Sequence, residues 1–270
     1  MAGFGIGQSV QRKEDARFLT GAGKFQDEIN LAGQVHAVIL RSPHAHAETR
    51  SIATRDAGAM LGVLAVLTGE DVRADGIGTL PSMKDPRLAM TRRDGSPGYY
   101  PPESILAIDR VRHVGEPVAM VVAETAEAAL DAAELIAVQY DALPAVVDPA
   151  DAAEADAVQL WPEAPGNVSF DWIVGDKAAV EAAFAGAEHV VEVALRNNHV
   201  TAAPIEARGA LGEFDAVGGR YTLHTNCHSH FAVRGMTVEC LGVEPTDVRV
   251  VARDIGGGFG MKYFVYPAHP

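Results

Sequence analysis

The residues best equipped for chemistry stand together in one stretch, Asp254-Ile255-Gly256-Gly257-Gly258-Phe259-Gly260-Met261-Lys262. Four of the five residues from 256 to 260 are glycine. A glycine backbone can pass close to a ligand, and no side chain stands in front of its N–H groups. A row of such donors suits an anion, so a phosphate cradle is one reading. The stretch is not a Walker A loop, because no Gly-Lys-Ser/Thr follows at the required spacing. Nor does it follow Gly-x-Gly-x-x-Gly. A flexible loop is the plainer alternative, but tethers are built from glycine and serine, and Phe259 sits among these glycines.

Other polar groups carry less weight. His44 and His46 stand at i and i+2, as metal ligands can, but no third ligand is spaced to join them. A structural or surface role suits them better. His224, His228 and His230 are loose histidines of the kind found on surfaces or satisfied in cores. Glu206 and Arg208 could pair with each other. Arg12-Lys13-Glu14-Asp15 reads as a solvated face. Cys227 and Cys240 are the two cysteines, without a CxxC spacing, so neither a disulfide framework nor a zinc site is expected. No Ser/His/Asp arrangement can be assembled at a recognisable spacing.

The elements that must position the glycine stretch are legible as pattern. The chain has 270 residues, 48% hydrophobic and 21% charged, enough for two domains with cores. Buried strands are expected at Val35–Leu40, ended by Pro43, at Gly62–Thr68 and at Val118–Ala123. Short and long helices are expected at Arg55–Leu61 and Thr125–Gln139, the latter capped by Thr125 and with a small-residue face. Residues 73–104 form a long excursion of the kind that usually serves function or covers something. Residues 148–169, rich in Ala, Asp and Pro, read as a linker. Beyond it come a helix from Asp176 through Phe184, an alternating strand Ala187–Leu195 and a turn-rich connector from His199 to Gly209. A hairpin follows, Ala210–Phe214 with Arg220–Thr225, then a helix Ser229–Leu241. Strand Val248–Ala252 delivers the chain to the glycines. Strands alternating with helices imply an α/β, or α+β, layered architecture.

Charge and hydropathy exclude some functions. The net charge is −14, without a basic stripe, which argues against nucleic acid and anionic membranes as partners. No apolar run approaches the ~20 residues of a membrane span. The first ten residues lack the apolar core of a secretory signal, so the cytoplasm is the expected location.

Five stretches taken together resemble a known family. They are Arg12–Gly21, Arg41-Ser42-Pro43-His44-Ala45-His46-Ala47, Val114-Gly115-Glu116-Pro117-Val118-Ala119, Pro204-Ile205-Glu206-Ala207-Arg208-Gly209 and Asp254–Lys262. In this order they are similar to the N-terminal part of the large, molybdopterin-binding subunit of the molybdenum hydroxylases. That family holds xanthine dehydrogenase, aldehyde oxidase and aerobic-type carbon monoxide dehydrogenase. The resemblance implies an arm at 1–14, an α/β hammerhead domain at 15–145, a linker at 146–169 and the first part of a molybdopterin-binding domain at 170–270. It implies that the glycine stretch lies against a molybdenum–molybdopterin cofactor, in the cytosine dinucleotide form, with Phe259 and Gly260 as N–H donors. Gly257 and Gly258 would allow the approach, and no residue here would ligate the metal directly.

Family members carry a glutamine upstream. Counting back from Leu241-Gly242-Val243 places His228 there, and Asn226 takes the place after a local shift. Tyr263 stands where xanthine-specific members carry a glutamate, and Val265-Tyr266-Pro267 resembles the carbon monoxide dehydrogenase-like branch. The general-base glutamate would lie on chain beyond this sequence, which implies a fragment or half of a split subunit. Apolar surface is then expected to stand exposed near Val248–Ile255. The implied activity is oxidation or hydroxylation of an aldehyde, N-heterocycle or related small molecule with water-derived oxygen. Electrons would pass to Fe–S and FAD subunits, since two cysteines cannot hold a cluster here. A non-catalytic assembly module, or an inert piece of such a subunit, is the alternative class.

Overall fold

The computed structural model describes residues 7, 9–80, 91–198 and 200–267. The chain forms two compact units. A central unit comprises Val35–Thr201 with Glu239–Gly242. A terminal unit comprises the residues up to Gln34, Ala202–Val238 and the chain from Val243. The terminal unit therefore takes in residues on both sides of the central one, and the units cut across the sequence ranges 15–145 and 170–270.

The terminal unit begins with a short helix α1, Asp15–Leu19. The central unit then builds two antiparallel sheets. Strand β1 is His36–Arg41, β2 Ala47–Ala53 and β3 Val63–Thr68, with short helices α2 at Arg55–Gly58 and α3 at Gly69–Ala74. Strand β4 is Arg110–Val111, β5 Pro117–Ala123 and β6 Ala137–Ala142, with α4 at Ala126–Glu134 between the last two. The sheets have the orders β1-β5-β3 and β4-β2-β6. Strand β5 is central because its run Val118-Ala119-Met120-Val121-Val122 is apolar on both faces. Helix α4 lays Ala129, Ala132 and Ala133 on this sheet, and Thr125 caps it by accepting from the Ala128 N–H at 3.1 Å. Methyl-sized side chains let helix and sheet approach closely.

One expectation is revised here, and two stretches carry structure that the sequence did not announce. The helix expected from Thr125 to Gln139 ends at Glu134, because Ile136 turns into the core and Ala137–Ala142 pairs with β2. Strand β2 has no hydrophobic alternation to announce it. It is held by β6, by Arg50 against Asp141, and by Arg110 donating to Glu48 at 3.1 Å. Such pairing is non-local and leaves no mark on a window of ten residues. The stretch read as a linker is not loose. Helix α5, Pro149–Ala152, is capped by Asp148, and the Asn167 side-chain amide donates to the carbonyls of Ala152 and Val158, both at 2.9 Å. Within the expected excursion at 73–104, residues 81–90 lie outside the described residues, as does His199.

Helix α6, Lys177–Ala185, forms as expected, with Asp176 accepting from Ala179 N–H at 3.0 Å. The strand expected at Ala187–Leu195 does not form.

The terminal unit carries a sheet of order β7-β8-β9. Strands β7, Ala210–Asp215, and β8, Arg220–Thr225, make the expected hairpin, registered from Ala210↔Thr225 to Asp215↔Arg220. Helix α7, His230–Leu241, then carries the chain over to β9, Val248–Val251, which pairs parallel to β8. A parallel pair needs such a crossover. Because β8 and β9 run the same way, the residues after each leave the sheet at the same end. Those residues are Asn226–His228 and Ala252–Gly260. In open sheets this is the end where ligands bind.

Candidate functional site

The root of the glycine stretch is clamped. The Arg17 guanidinium grips the Asp254 carboxylate with both nitrogens, Nη2 to Oδ1 at 2.7 Å and Nη1 to Oδ2. The Lys24 N–H donates to the same carboxylate at 2.7 Å, and the Asp254 N–H donates back to the Lys24 carbonyl at 3.1 Å. The Arg17 hydrogen bonds hold the Asp254 carboxyl below its usual range. Arg17 stands two residues beyond the stretch read as a solvated face. Arg12 and Asp15 do pair in solvent, but the chemistry of that motif is its fifth residue after Arg12.

A second clamp is buried. Glu206 accepts through Oε1 from the Gln26 N–H at 3.0 Å. Through Oε2 it accepts from the Gly256 N–H and from Lys262 Nζ, both at 2.8 Å. The Lys262 side chain is fully buried and that of Glu206 is 9% exposed. Burial by itself pushes the Glu206 carboxyl up. The donors from Gln26, Lys262, Gly256 and Asn226 outweigh it, so the group lies below its usual range and is ionised. Glu206 therefore does not pair with Arg208, as their spacing allowed. Arg208 instead stacks its guanidinium on the Tyr266 ring at 3.4 Å from the centroid.

Between these clamps lies a short span with distinctive geometry. Gly257 and Gly260 adopt φ of 94° and 93°, and Phe259, a residue with a side chain, adopts 49°. The left-handed region costs such a residue about 1–2 kcal/mol. The Phe259 ring is 77% exposed, so packing does not offset that cost. No hydrogen bond among the described residues uses the N–H groups of Gly257, Gly258, Phe259 or Gly260. The turn is closed instead by Met261 N–H to the Gly258 carbonyl at 2.9 Å.

Space bears on three of the four glycines, Gly260 being the open one. A Cβ on Gly256 would meet the Glu206 Cβ, and one on Gly258 would fall inside the His228 ring. A Cβ on Gly257 would stand 3.3 Å from Pro204. His228 thus sits directly over Gly258, with its own N–H donating to the Lys262 carbonyl at 2.9 Å. Its side chain is exposed. Asn226 is buried and committed elsewhere, donating to the Ala207 carbonyl at 2.7 Å and accepting from the Gly209 N–H at 3.3 Å. The two candidates left open by the sequence therefore occupy different places: His228 faces the glycine span and Asn226 shapes the connector beneath Glu206.

The remaining histidines stand apart. His44 packs on the Tyr140 ring, and His46 Nδ1 lies 2.8 Å from the Pro144 carbonyl. His224 is buried beside Glu213, and His230 is exposed at the start of α7. Among the described residues no cluster of three His, Cys, Asp or Glu could hold a metal ion. Tyr263 is half-exposed next to the span, its ring edge-on to Phe264.

Two domain-family models match. Residues 20–144 match the aldehyde oxidase and xanthine dehydrogenase a/b hammerhead domain, and residues 160–270 match the molybdopterin cofactor-binding domain. The chain belongs to the aldehyde oxidase and xanthine dehydrogenase family of molybdopterin-binding proteins. The carbon monoxide dehydrogenase large chain of Hydrogenophaga pseudoflava is 35% identical over 95% of this chain and 32% of its own length. The nicotine 6-hydroxylase large subunit of Paenarthrobacter nicotinovorans is 38% identical over 97% of this chain and 31% of its own. Among solved structures, a Cu,Mo-CO dehydrogenase superposes with a TM-score of 0.86 at 32% identity, covering 98% of this chain and 33% of that one. The chain thus spans about a third of the length of these relatives, and its mixed helix-and-sheet architecture is theirs.

The span fits an anionic cofactor of that kind. Its N–H row, which no hydrogen bond among the described residues uses, the missing Cβ atoms and the charge-paired clamps are what a dithiolene-bound metal centre asks of a protein wall. Sequence reasoning singled out the span itself. It did not single out Gln26, and although Arg17 and Lys262 lie within the quoted stretches, their roles as clamps were not read, because their partners lie far away in sequence.

Proposed function

We propose that this chain forms the N-terminal part of the molybdopterin-binding large subunit of a molybdenum hydroxylase. The observation that carries the reading is the row of four N–H groups from Gly257 to Gly260 that no hydrogen bond among the described residues uses, fixed at both ends by ionised, buried or bidentate pairs. Phe259 and Gly260 are its donors to the cofactor, Gly257 and Gly258 admit the close approach, and His228 offers a ring nitrogen beside them. Division into a hammerhead at 15–145, a linker at 146–169 and a partial cofactor domain at 170–270 belongs to the same proposal.

When bound, molybdenum–molybdopterin in its cytosine dinucleotide form supplies the two-electron chemistry. Water provides the oxygen, the substrate carbon loses a hydrogen, and two electrons and two protons leave. The residues of this chain orient and stabilise rather than react. Their N–H dipoles favour the anionic group without a competing side chain, and the Glu206–Lys262 pair keeps its net charge out of the field they create. The substrate class is an aldehyde, an N-heterocycle or a related small molecule. The electrons pass to Fe–S and FAD subunits, in the cytoplasm; no helix among the described residues is long and apolar enough to cross a membrane.

Metal and nucleotide analysis of the intact complex purified with this chain tests the reading. Molybdenum and cytidine monophosphate released in near-equal amounts support it. Their joint absence from an intact complex removes the cofactor assignment.

A further inference from the structure

The peptide groups of the glycine span are sorted by use. The N–H groups of Gly257, Gly258, Phe259 and Gly260 enter no hydrogen bond among the described residues. Carbonyls of the same stretch are spent inside the chain. That of Gly256 accepts from the Glu206 N–H at 3.3 Å and that of Gly258 from the Met261 N–H at 2.9 Å. That of Gly260 accepts from the Tyr263 N–H at 3.3 Å and that of Lys262 from the His228 N–H at 2.9 Å. Main-chain donors hold these four. The Met261 carbonyl is held by a side chain, the Tyr266 hydroxyl, which donates to it at 2.7 Å.

Such sorting matters to an anion. An N–H presents the positive end of the peptide dipole, and a carbonyl turned the same way would set the negative end beside it. Met261 closes the turn through its own N–H. The peptide after it is anchored by the buried Lys262 side chain and by the Tyr266 hydroxyl. Tyr266 is itself braced, because the Arg208 guanidinium lies over its ring. Among the described residues no carboxylate pairs with Arg208, so the ring is its partner. Arg208, Met261 and Tyr266 all belong to the terminal unit.

Resting on the family reading above, we propose that Tyr266, braced by Arg208, is a positioning residue for the N–H row. Its hydroxyl keeps the Met261 carbonyl turned into the chain, so that the wall offers an anionic ligand donors alone. Arg208 acts through the ring and not on the ligand.

Amide exchange in the cofactor-free chain reads this tie directly. Tyr266→Phe keeps the ring under Arg208 and removes only the hydroxyl. It should cost the Met261 amide roughly three- to tenfold in protection, as one lost hydrogen bond does, and leave the Gly256 amide protected. Arg208→Leu should cost the Met261 amide about two- to fivefold. The two substitutions together should cost no more than Tyr266→Phe alone. Equal protection of Met261 in the wild type and in Tyr266→Phe would overturn the proposal, and additive losses would overturn the part given to Arg208. A second readout, in the purified complex that carries the cofactor, separates positioning from stability. Released from Tyr266, the Met261 carbonyl turns its negative end toward an anionic centre and makes it harder to reduce. Tyr266→Phe should therefore lower the molybdenum midpoint potential while molybdenum per chain stays at the wild-type value. An unchanged potential in a complex whose Met261 protection is lost would overturn the role toward the ligand. A wild-type complex holding neither molybdenum nor cytidine nucleotide would sink the family reading, and the Met261 amide would still decide whether the tie exists.

Discussion

Two irregular stretches of this chain teach opposite lessons. Gly256–Gly260 has no hydrophobic period and four residues without side chains, yet its position is fixed by a buried ion pair, a bidentate clamp and a ring set over Gly258. Ala187–Leu195, rich in valine, reads as a strand, yet it lies as exposed coil. Local pattern proposes a conformation. Partners decide it, and the glycine span has its partners within this chain. Apolar exposure accordingly falls at 168–200. Around Val248–Ile255, where it was expected, Ile255 is the one exposed apolar residue.

The largest effect that could break this contrast comes from the buried pair. Lys262→Met leaves Glu206 ionised and enclosed without its main cation. Unfolding in denaturant should show a loss of roughly 3–5 kcal/mol, and adding Glu206→Gln should recover most of it. A loss under about 1 kcal/mol would mean that the span is held by something else. Next comes Gly258→Ala, whose methyl group would occupy the His228 ring. It should cost about 1–3 kcal/mol, as overpacking does. The same change in a His228→Ala background should cost much less, and equal costs in both would separate the ring from the span.

Acid should loosen the clamps before it affects Ala187–Leu195. Glu206 and Asp254 both titrate below their unfolded values, so their contribution is complete above about pH 4.3 and is lost as pH falls through the lower folded values. Protection of the Asp254 and Gly256 amides, relative to their intrinsic exchange rates, should be lost below that pH while residues 188–195 stay unprotected throughout. The smallest effect is chemical. Burial pushes the Cys240 thiol up to about 11, and Cys227 is raised for the same reason. Neither should react appreciably with iodoacetamide at pH 8 in the native chain. Prompt alkylation of either would show that the native state opens around it.

Much of the fold was legible because it is local. The apolar run of β5, the Thr125 and Asp176 caps, and the β7–β8 hairpin each sit within a short stretch of contiguous chain. What escaped is non-local. Strand β2 is polar and exists through β6, while the end of α4 is set by where Ile136 must go. The same division holds at the site. The glycines showed themselves by composition. The clamp roles of Arg17, Gln26, Glu206 and Lys262 appeared only when the fold placed two of them against chain some 180 to 237 residues away. His228 could be named only by likeness, and its role as the group over Gly258 is a matter of space that no single-residue signal carries.

The most direct test of the account follows the four amides themselves. Hydrogen exchange at Gly257, Gly258, Phe259 and Gly260 should be fast in the cofactor-free chain. In the cofactor-loaded complex it should slow at Phe259 and Gly260, while the Gly256 amide stays protected by Glu206 in both. Unchanged fast exchange at Phe259 and Gly260 in a complex shown to carry molybdenum would contradict the claim that this span is the wall facing the cofactor.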